Sequence, residues 1–224
     1  MSRGALLAGA SGLVGGHVLR LLLDDSQYER VTVLGRRDLP VTHKKLVQRV
    51  VDFDRLAELG DFPRVHAVFC CLGTTIKQAG SEAEFRKVDY TYVVELARLA
   101  LRHRASHFLV VTALGADTRS RFFYNRVKGE VDEAVRRLQF DGVHIFHPSL
   151  LLGKRTRGRL LERLLSLLSP FVSWVMMGPL ARYRPIRAAR LARAMVRVAR
   201  EAPRGVHVYE SDQIRRLGRG RGRR

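Results

Sequence analysis

The chain has 224 residues, a formal net charge of +20 and an apolar fraction of 46%. That length holds one sizeable α/β domain with a real core, and the apolar content excludes a disordered chain. Only six of the 41 basic residues are lysine (Lys44, Lys45, Lys77, Lys87, Lys128 and Lys154), so the charge is an arginine charge, suited to polyanions or explained by codon preference alone.

"ALLAGA" predicts a first strand, and glycines break this apolar run too early for a secretory leader. "GGHVLRLLLDD" follows with Val18, Leu19, Leu22 and Leu23 on one helical face. "RVTVLGRR" and "KLVQRVVDF" predict the second and third strands, and "HAVFCCLG" the fourth, apolar on both faces as a central parallel strand should be. The adjacent Cys70 and Cys71 point to opposite faces, are poor disulfide partners, and fit a reducing, cytoplasmic setting. "EAEFRKVDYTYVVELARLALRH" predicts a long amphipathic helix, "HFLVVTAL" the fifth strand, "RFFYNRVKGEVDEAVRRL" another helix, and "GVHIFHPSLLLG" a sixth strand running into a loop. Beyond Gly153 come the apolar segment "RGRLLERLLSLLSPFVSWVMMG", a helix "RAARLARAMVRVARE" and a short strand "GVHVYES". Glu162, Arg163 and Pro170 argue against a membrane span there. The segment can line a substrate pocket, form a homodimer face, touch a membrane surface or simply pack on the sheet.

This alternation predicts an α/β fold, a doubly wound parallel sheet with helices on both faces. We expect a single domain over residues 1–215, with 157–200 forming a small C-terminal cap on the substrate side. Residues 216–224 form a basic disordered tail that either contacts a polyanion weakly or stays solvated.

Gly9, Gly12 and Gly15 sit where the first strand hands over to a helix. Glycine there permits positive φ and lets main-chain N–H groups approach a pyrophosphate at the helix N-terminus. The second strand ends in Arg36 and Arg37, where a site for the unphosphorylated dinucleotide usually carries an acid. Guanidinium groups suit a 2′-phosphate, so NADP(H) is favoured over NAD(H), although Asp38 follows at once. Asp52 and Phe53 close the third strand where an adenine would lie. "CLGTT" closes the fourth, with Gly73 allowing a close approach to the cofactor.

Tyr124 and Lys128 form Tyr-x-x-x-Lys on a predicted helix, one turn apart on one face. An ammonium near a phenol stabilises the phenolate, so Tyr124 can exchange a proton with a substrate oxygen while a nicotinamide exchanges hydride. Thr112, at the end of the fifth strand, can hydrogen-bond that oxygen. The histidines show no metal-binding spacing, so no metal site is expected.

"GASGLVGG", "VTVLGRR", "FCCLGTT", "VDYTYVVELA", "VKGEV" and "FDGVHIFHPSLLLG" recur in the order found in atypical short-chain dehydrogenase/reductases of the Tat-interacting-protein type, which the chain resembles over residues 4 to 218. The resemblance implies a Rossmann-type sheet and NADPH binding. Ser11, Gly12, Leu13 and Val14 would line the pyrophosphate loop, with Arg36 and Arg37 on the 2′-phosphate. Leu72 and Gly73 would sit beside the cofactor, Tyr124 would be proton donor or acceptor, and Lys128 would hold the ribose. Leu151 and Arg159 would close over the cofactor. Two departures stand out. Thr112 and Ala113 replace a pair of serines, and His147 replaces an arginine before Pro148. The expected function is therefore an NADP(H)-dependent oxidoreductase acting on a small carbonyl or alcohol. The alternative is an NADP(H)-binding regulatory or sensor protein with little turnover.

Overall fold

Each predicted strand pairs with its neighbours in one parallel sheet. The structure is a computed structural model that describes residues 3–153 and 184–219. Seven strands lie in the order β3-β2-β1-β4-β5-β6-β9: β1 (Arg3–Ala8), β2 (Tyr28–Gly35), β3 (Leu46–Val50), β4 (Ala67–Cys70), β5 (His107–Val111), β6 (Gly142–His147) and β9 (Gly205–Glu210). All six pairings are parallel. A short pair, β7 (Leu151–Leu152) with β8 (Ile186–Arg187), stands apart. The strand order reverses between β1 and β4, which opens a crevice at their carboxyl ends.

Alternate side chains of each strand feed two cores, because a strand presents successive residues to opposite faces. Leu7, Phe69 and Phe146 pack with α1 (Leu13–Asp24) and α6 (Ala188–Glu201) through Val18, Leu22, Leu191 and Met195. Leu6, Val68, Phe108 and Ile145 pack with α4 (Tyr92–Arg102) and α5 (Phe123–Arg136) through Leu96, Val131 and Val135. Cys70 joins the second core and Cys71 leans on the first, the opposite-face arrangement expected from their adjacency. Burial pushes both thiols up, Cys70 to about 12, so neither is a nucleophile at neutral pH.

The long helix predicted over 82–103 is present but not uniform. α3 (Glu82–Arg86), capped by Ser81, runs through a π turn (Lys87–Thr91) into α4. The π turn carries Asp89, which is buried. A short α2 (Ile76–Ala79) precedes it, capped by Thr75.

Two boundaries differ from expectation. Residues 188–201, grouped with the cap on sequence, form α6, whose apolar stripe packs on α1 in the helical layer of the sheet. Residues 216–219, grouped with the tail on sequence, are held to the domain. α7 (Ser211–Leu217) includes Arg216 and Leu217, and the Gly218 carbonyl accepts from Arg193 Nε at 2.9 Å. Residues 154–183, including most of the predicted cap, and 220–224 lie outside the described residues.

Near the amino-terminal ends of β4, β5, β6 and β9, the rings of His66, His107, His144 and His207 follow one another at 4.9–5.6 Å. Burial is the main reason that His107 is lowered to about 4 and His144 to about 3, with neighbouring histidines adding to it. Such groups stabilise the fold while neutral, above the free histidine value near 6.5, and that contribution disappears as pH falls through about 4 and 3. Denaturant titrations from pH 7 to pH 3 should show a loss of roughly 3 kcal/mol from His107 alone. His144→Phe, which keeps a stacked ring, should blunt that acid sensitivity.

Candidate functional site

Two adjoining clefts open at the carboxyl edge of the sheet, meeting along the loops 9–13 and 72–75. The first, about 510 Å³, runs over the β1–α1 turn to the end of β2. Its glycines are set by the chain itself. Gly9 has φ +86°, and a Cβ there would collide with the Cys71 carbonyl. A Cβ on Gly15 would collide with the Gly9 carbonyl, so both residues let α1 and the β4 end close on the turn.

Gly12 caps α1 without a side-chain hydrogen bond, and the first turn holds no acid. The positive end of this 12-residue helix is therefore left for an anion. Ser11 and Gly12 are exposed there. Val14 and Gly15 are buried, so beyond the turn only their main chain could face a ligand, and Leu13 faces the second cleft.

Arg36 and Arg37 line the far end of the first cleft, exposed, with no ion-pair partner among the described residues. Asp52 does not line it. Its carboxylate instead accepts from Asp54 N at 2.9 Å, capping the 3-10 turn Phe53–Glu58, because a short acid at that position satisfies the turn's free N–H. Phe53 does line the cleft, 5.5 Å from the Tyr92 ring. Tyr92 donates to Asp54 at 2.6 Å, and Lys87 pairs with the same carboxylate at 2.7 Å. Val88 and Tyr92 were missed on sequence, although their i, i+4 spacing placed them on one helical face. Leu72 and Gly73 complete the floor.

The second cleft is lined by Thr112, Tyr124, Asn125, His147 and Glu210, with Thr74 and Thr75 at the junction. Tyr124 is about one-third exposed, its ring 5.5 Å from Phe85. Thr112 is buried, and its Oγ1 has no protein partner. Leu151 lines this cleft rather than the first. Arg159 lies outside the described residues.

Lys128 sits one turn beyond Tyr124 but lines neither cleft. Its Nζ is 2.7 Å from Asp89 Oδ1, with side chains only 5% and 1% exposed. Asp89 Oδ2 accepts from Thr74 N at 2.8 Å, tying the same carboxylate to the loop between the clefts. Burial works against the ammonium, but Asp89, with Tyr124 adding to it, more than offsets this and holds Lys128 above its ordinary value. A Cβ on Gly73 would lie 3.4 Å from Asp89 Oδ1 and 3.9 Å from Lys128 Nζ, so the missing side chain brings the cleft floor close to the pair. Asp89 was missed on sequence because nothing in "VDYTYVV" separates a buried acid from a solvated one. Gly129 has a packing reason too: a Cβ there would collide with the main chain at Asp117 and Thr118, which crosses α5 beside Lys128.

Among the described residues no three His, Cys, Asp or Glu side chains converge as a metal set, and no helix is long and apolar enough to cross a membrane.

A family described as NAD(P)H-binding matches residues 9–167. Protein HTATIP2 of Rattus norvegicus is 38% identical over 162 residues, covering 70% of this chain and 66% of its own length, so the chain spans just under two thirds of that relative. Protein FMP52-1, mitochondrial, of Scheffersomyces stipitis is 30% identical over 208 residues, 88% of each chain. Among solved structures, human epimerase family protein SDR39U1 with NADPH has a TM-score of 0.64 at 18% identity, covering 96% of this chain and 80% of that one, a likeness of fold. The relatives overturn the cytoplasmic location expected from the sequence, since several fungal ones are named as mitochondrial proteins. Cys70 and Cys71 face opposite cores and cannot pair with each other in any compartment, so their free thiols do not fix the location.

Proposed function

The chain belongs to the NAD(P)H-binding family, as an atypical short-chain dehydrogenase/reductase related to HTATIP2, and from that membership we propose that it is an NADP(H)-dependent oxidoreductase acting on a small carbonyl or alcohol. The observation that carries this reading is the junction of two unlike clefts. One offers a helix N-terminus without a side-chain cap and two arginines, the other a phenol and a hydroxyl, none of them paired among the described residues, with a buried ammonium between the clefts.

The residues present suit a phosphorylated dinucleotide. The α1 N-terminus and the main chain of residues 11–13 would hold the pyrophosphate, Arg36 and Arg37 the 2′-phosphate, and Phe53 with Tyr92 the adenine. When bound, the nicotinamide supplies or takes the hydride. Tyr124 gives or takes the proton at the substrate oxygen, and Thr112 Oγ1 hydrogen-bonds that oxygen and fixes its direction. Lys128, kept charged by Asp89, sits one helical turn from Tyr124 behind the floor at Gly73, where it would hold the ribose hydroxyls.

Fluorescence titration with NADPH and NADH tests the cofactor half. Wild-type protein should bind NADPH more tightly, and Arg36→Ala with Arg37→Ala should weaken NADPH about 10- to 100-fold while leaving NADH nearly unchanged. Equal losses for both nucleotides would remove the 2′-phosphate role.

A further inference from the structure

On α5, Tyr124, Lys128 and Asp132 recur every four residues, so they form one stripe along the helix. Lys128 is pinned by Asp89. Asp132 is pinned from the other side of the cleft, by a residue that the oxidoreductase reading does not use. His147, the last residue of β6, places Nε2 2.6 Å from Asp132 Oδ2 and Nδ1 3.0 Å from Glu210 Oε1 at the end of β9. The imidazole and Asp132 are both more than nine-tenths buried, while Glu210 is 43% exposed.

We propose that His147 is a positioning residue for the Tyr124–Lys128 pair: as an imidazolium between Asp132 and Glu210 it fixes α5 against the ends of β6 and β9, and it loosens that hold on losing its proton.

The proposal rests on reading Tyr124 and Lys128 as the reacting pair, but the clamp itself stands on geometry. A carboxylate only accepts, so two carboxylates on two ring nitrogens require two N–H donors, which only the charged ring has. A neutral ring donates to one side only. On losing its proton the ring keeps one N–H but no charge, so buried Asp132, whose Oδ1 has no partner among the described residues, is left without its counter-ion, while Glu210 still accepts from Gln213 N.

Among the described residues two carboxylates face the ring. From α5 the facing group is Asp132, and from β9 it is Glu210. On α7, Asp212 is paired with Arg216 at 2.7 Å. Ser211 Oγ, also on α7, donates to the His147 carbonyl at 3.2 Å and accepts from Ser149 N at 2.7 Å, which fixes the backbone of the clamp. Glu210 is anchored as well, forming a reciprocal capping box with Gln213. Burial opposes the imidazolium, but Asp132 and Glu210 together raise His147 above the ordinary histidine value. A raised group stabilises the fold fully below the free value near 6.5, and that contribution is lost as pH climbs through the folded value. The clamp is therefore closed at neutral pH and opens on the alkaline side.

The test uses the full chain labelled with ¹⁵N-histidine, observed by NMR from pH 6 to 10, with hydrogen exchange and NADPH titration over the same range. Both His147 nitrogens should be protonated at pH 7, with the ring titrating above the free value. Exchange in α5 around Lys128 and Asp132, corrected for its intrinsic pH dependence, should speed at least tenfold by pH 9.5 while β1 and β2 stay protected. NADPH affinity should fall along the same limb. His147→Arg, charged throughout, should flatten both responses, and His147→Gln at pH 7 should resemble wild type at pH 9.5. Should the glutamine variant not fold, the wild-type titration and the arginine variant decide the matter.

A His147 ring that is neutral at pH 7, or the same alkaline loosening in His147→Arg, overturns the proposal. So does α5 loosening with flat NADPH affinity, which would make His147 a tie of the fold alone. Tyr124→Phe should leave the His147 titration and the exchange pattern unchanged. Failure of the oxidoreductase reading would appear as absent turnover in the wild-type protein with the clamp intact, separate from failure of the clamp.

Discussion

Tyr124→Phe should lower NADPH-dependent turnover of carbonyl compounds about 10²- to 10⁴-fold, the usual contribution of a positioned general acid or base. Nucleotide affinity should change no more than about twofold, because Tyr124 lines the second cleft and not the first. The fold should tolerate the change. The ring stays against Phe85, and the phenol is about one-third exposed, so no buried hydrogen bond is lost with it. A panel of small carbonyls followed by NADPH oxidation, beside fluorescence titration of NADPH, reads both quantities. Equal turnover in the variant would remove Tyr124 as the acid or base. Tight NADPH binding with no turnover in either protein would favour a cofactor sensor, a reading to which the single hydroxyl of Thr112, followed by Ala113, already lends some weight.

Asp89→Ala should be the most destabilising single change at the site, by about 3–5 kcal/mol, the cost of leaving one partner of a buried ion pair uncompensated. Lys128 would keep its burial and lose the carboxylate that offsets it, so its proton affinity should drop. Thr74 N would lose its acceptor in the same step, loosening the loop between the clefts. Urea unfolding at pH 7 measures the stability term. Asp89→Asn, which retains an acceptor for Thr74 N but no charge, should lose less and thereby separate loop anchoring from charge pairing. A loss below about 1 kcal/mol for Asp89→Ala would mean that water reaches the pair in solution.

Local pattern was enough for some of this protein and insufficient for the rest. The alternation of apolar runs with 3.6-residue periodicity made the parallel sheet legible, because burial on two faces leaves its mark on each strand separately. Tyr124 and Lys128 were legible for the same reason: four residues on a helix are one turn, wherever the helix lies. Arg36 and Arg37 could be placed at a strand end, and a strand end in a parallel sheet is also a position at the ligand edge.

What failed was whatever depends on partners distant in the chain. Asp89 reads as an ordinary helical acid, yet a π turn and the approach of α5 make it the counter-ion of Lys128, 39 positions away. Asp52 is the local exception: it reads as an adenine contact, but its carboxylate caps the turn through Asp54 N, two residues on. His147 looks like a weak substitute for arginine until Asp132 and Glu210, from two other elements, close on both ring nitrogens.

The sequence by itself determined the seven strands of the main sheet, its long helices and the glycine turn, since periodicity and turn chemistry act over a few residues. Only the tertiary structure decided which charges are buried and with whom. A charged side chain keeps its water or loses it according to what packs against it, and those neighbours come from other parts of the chain.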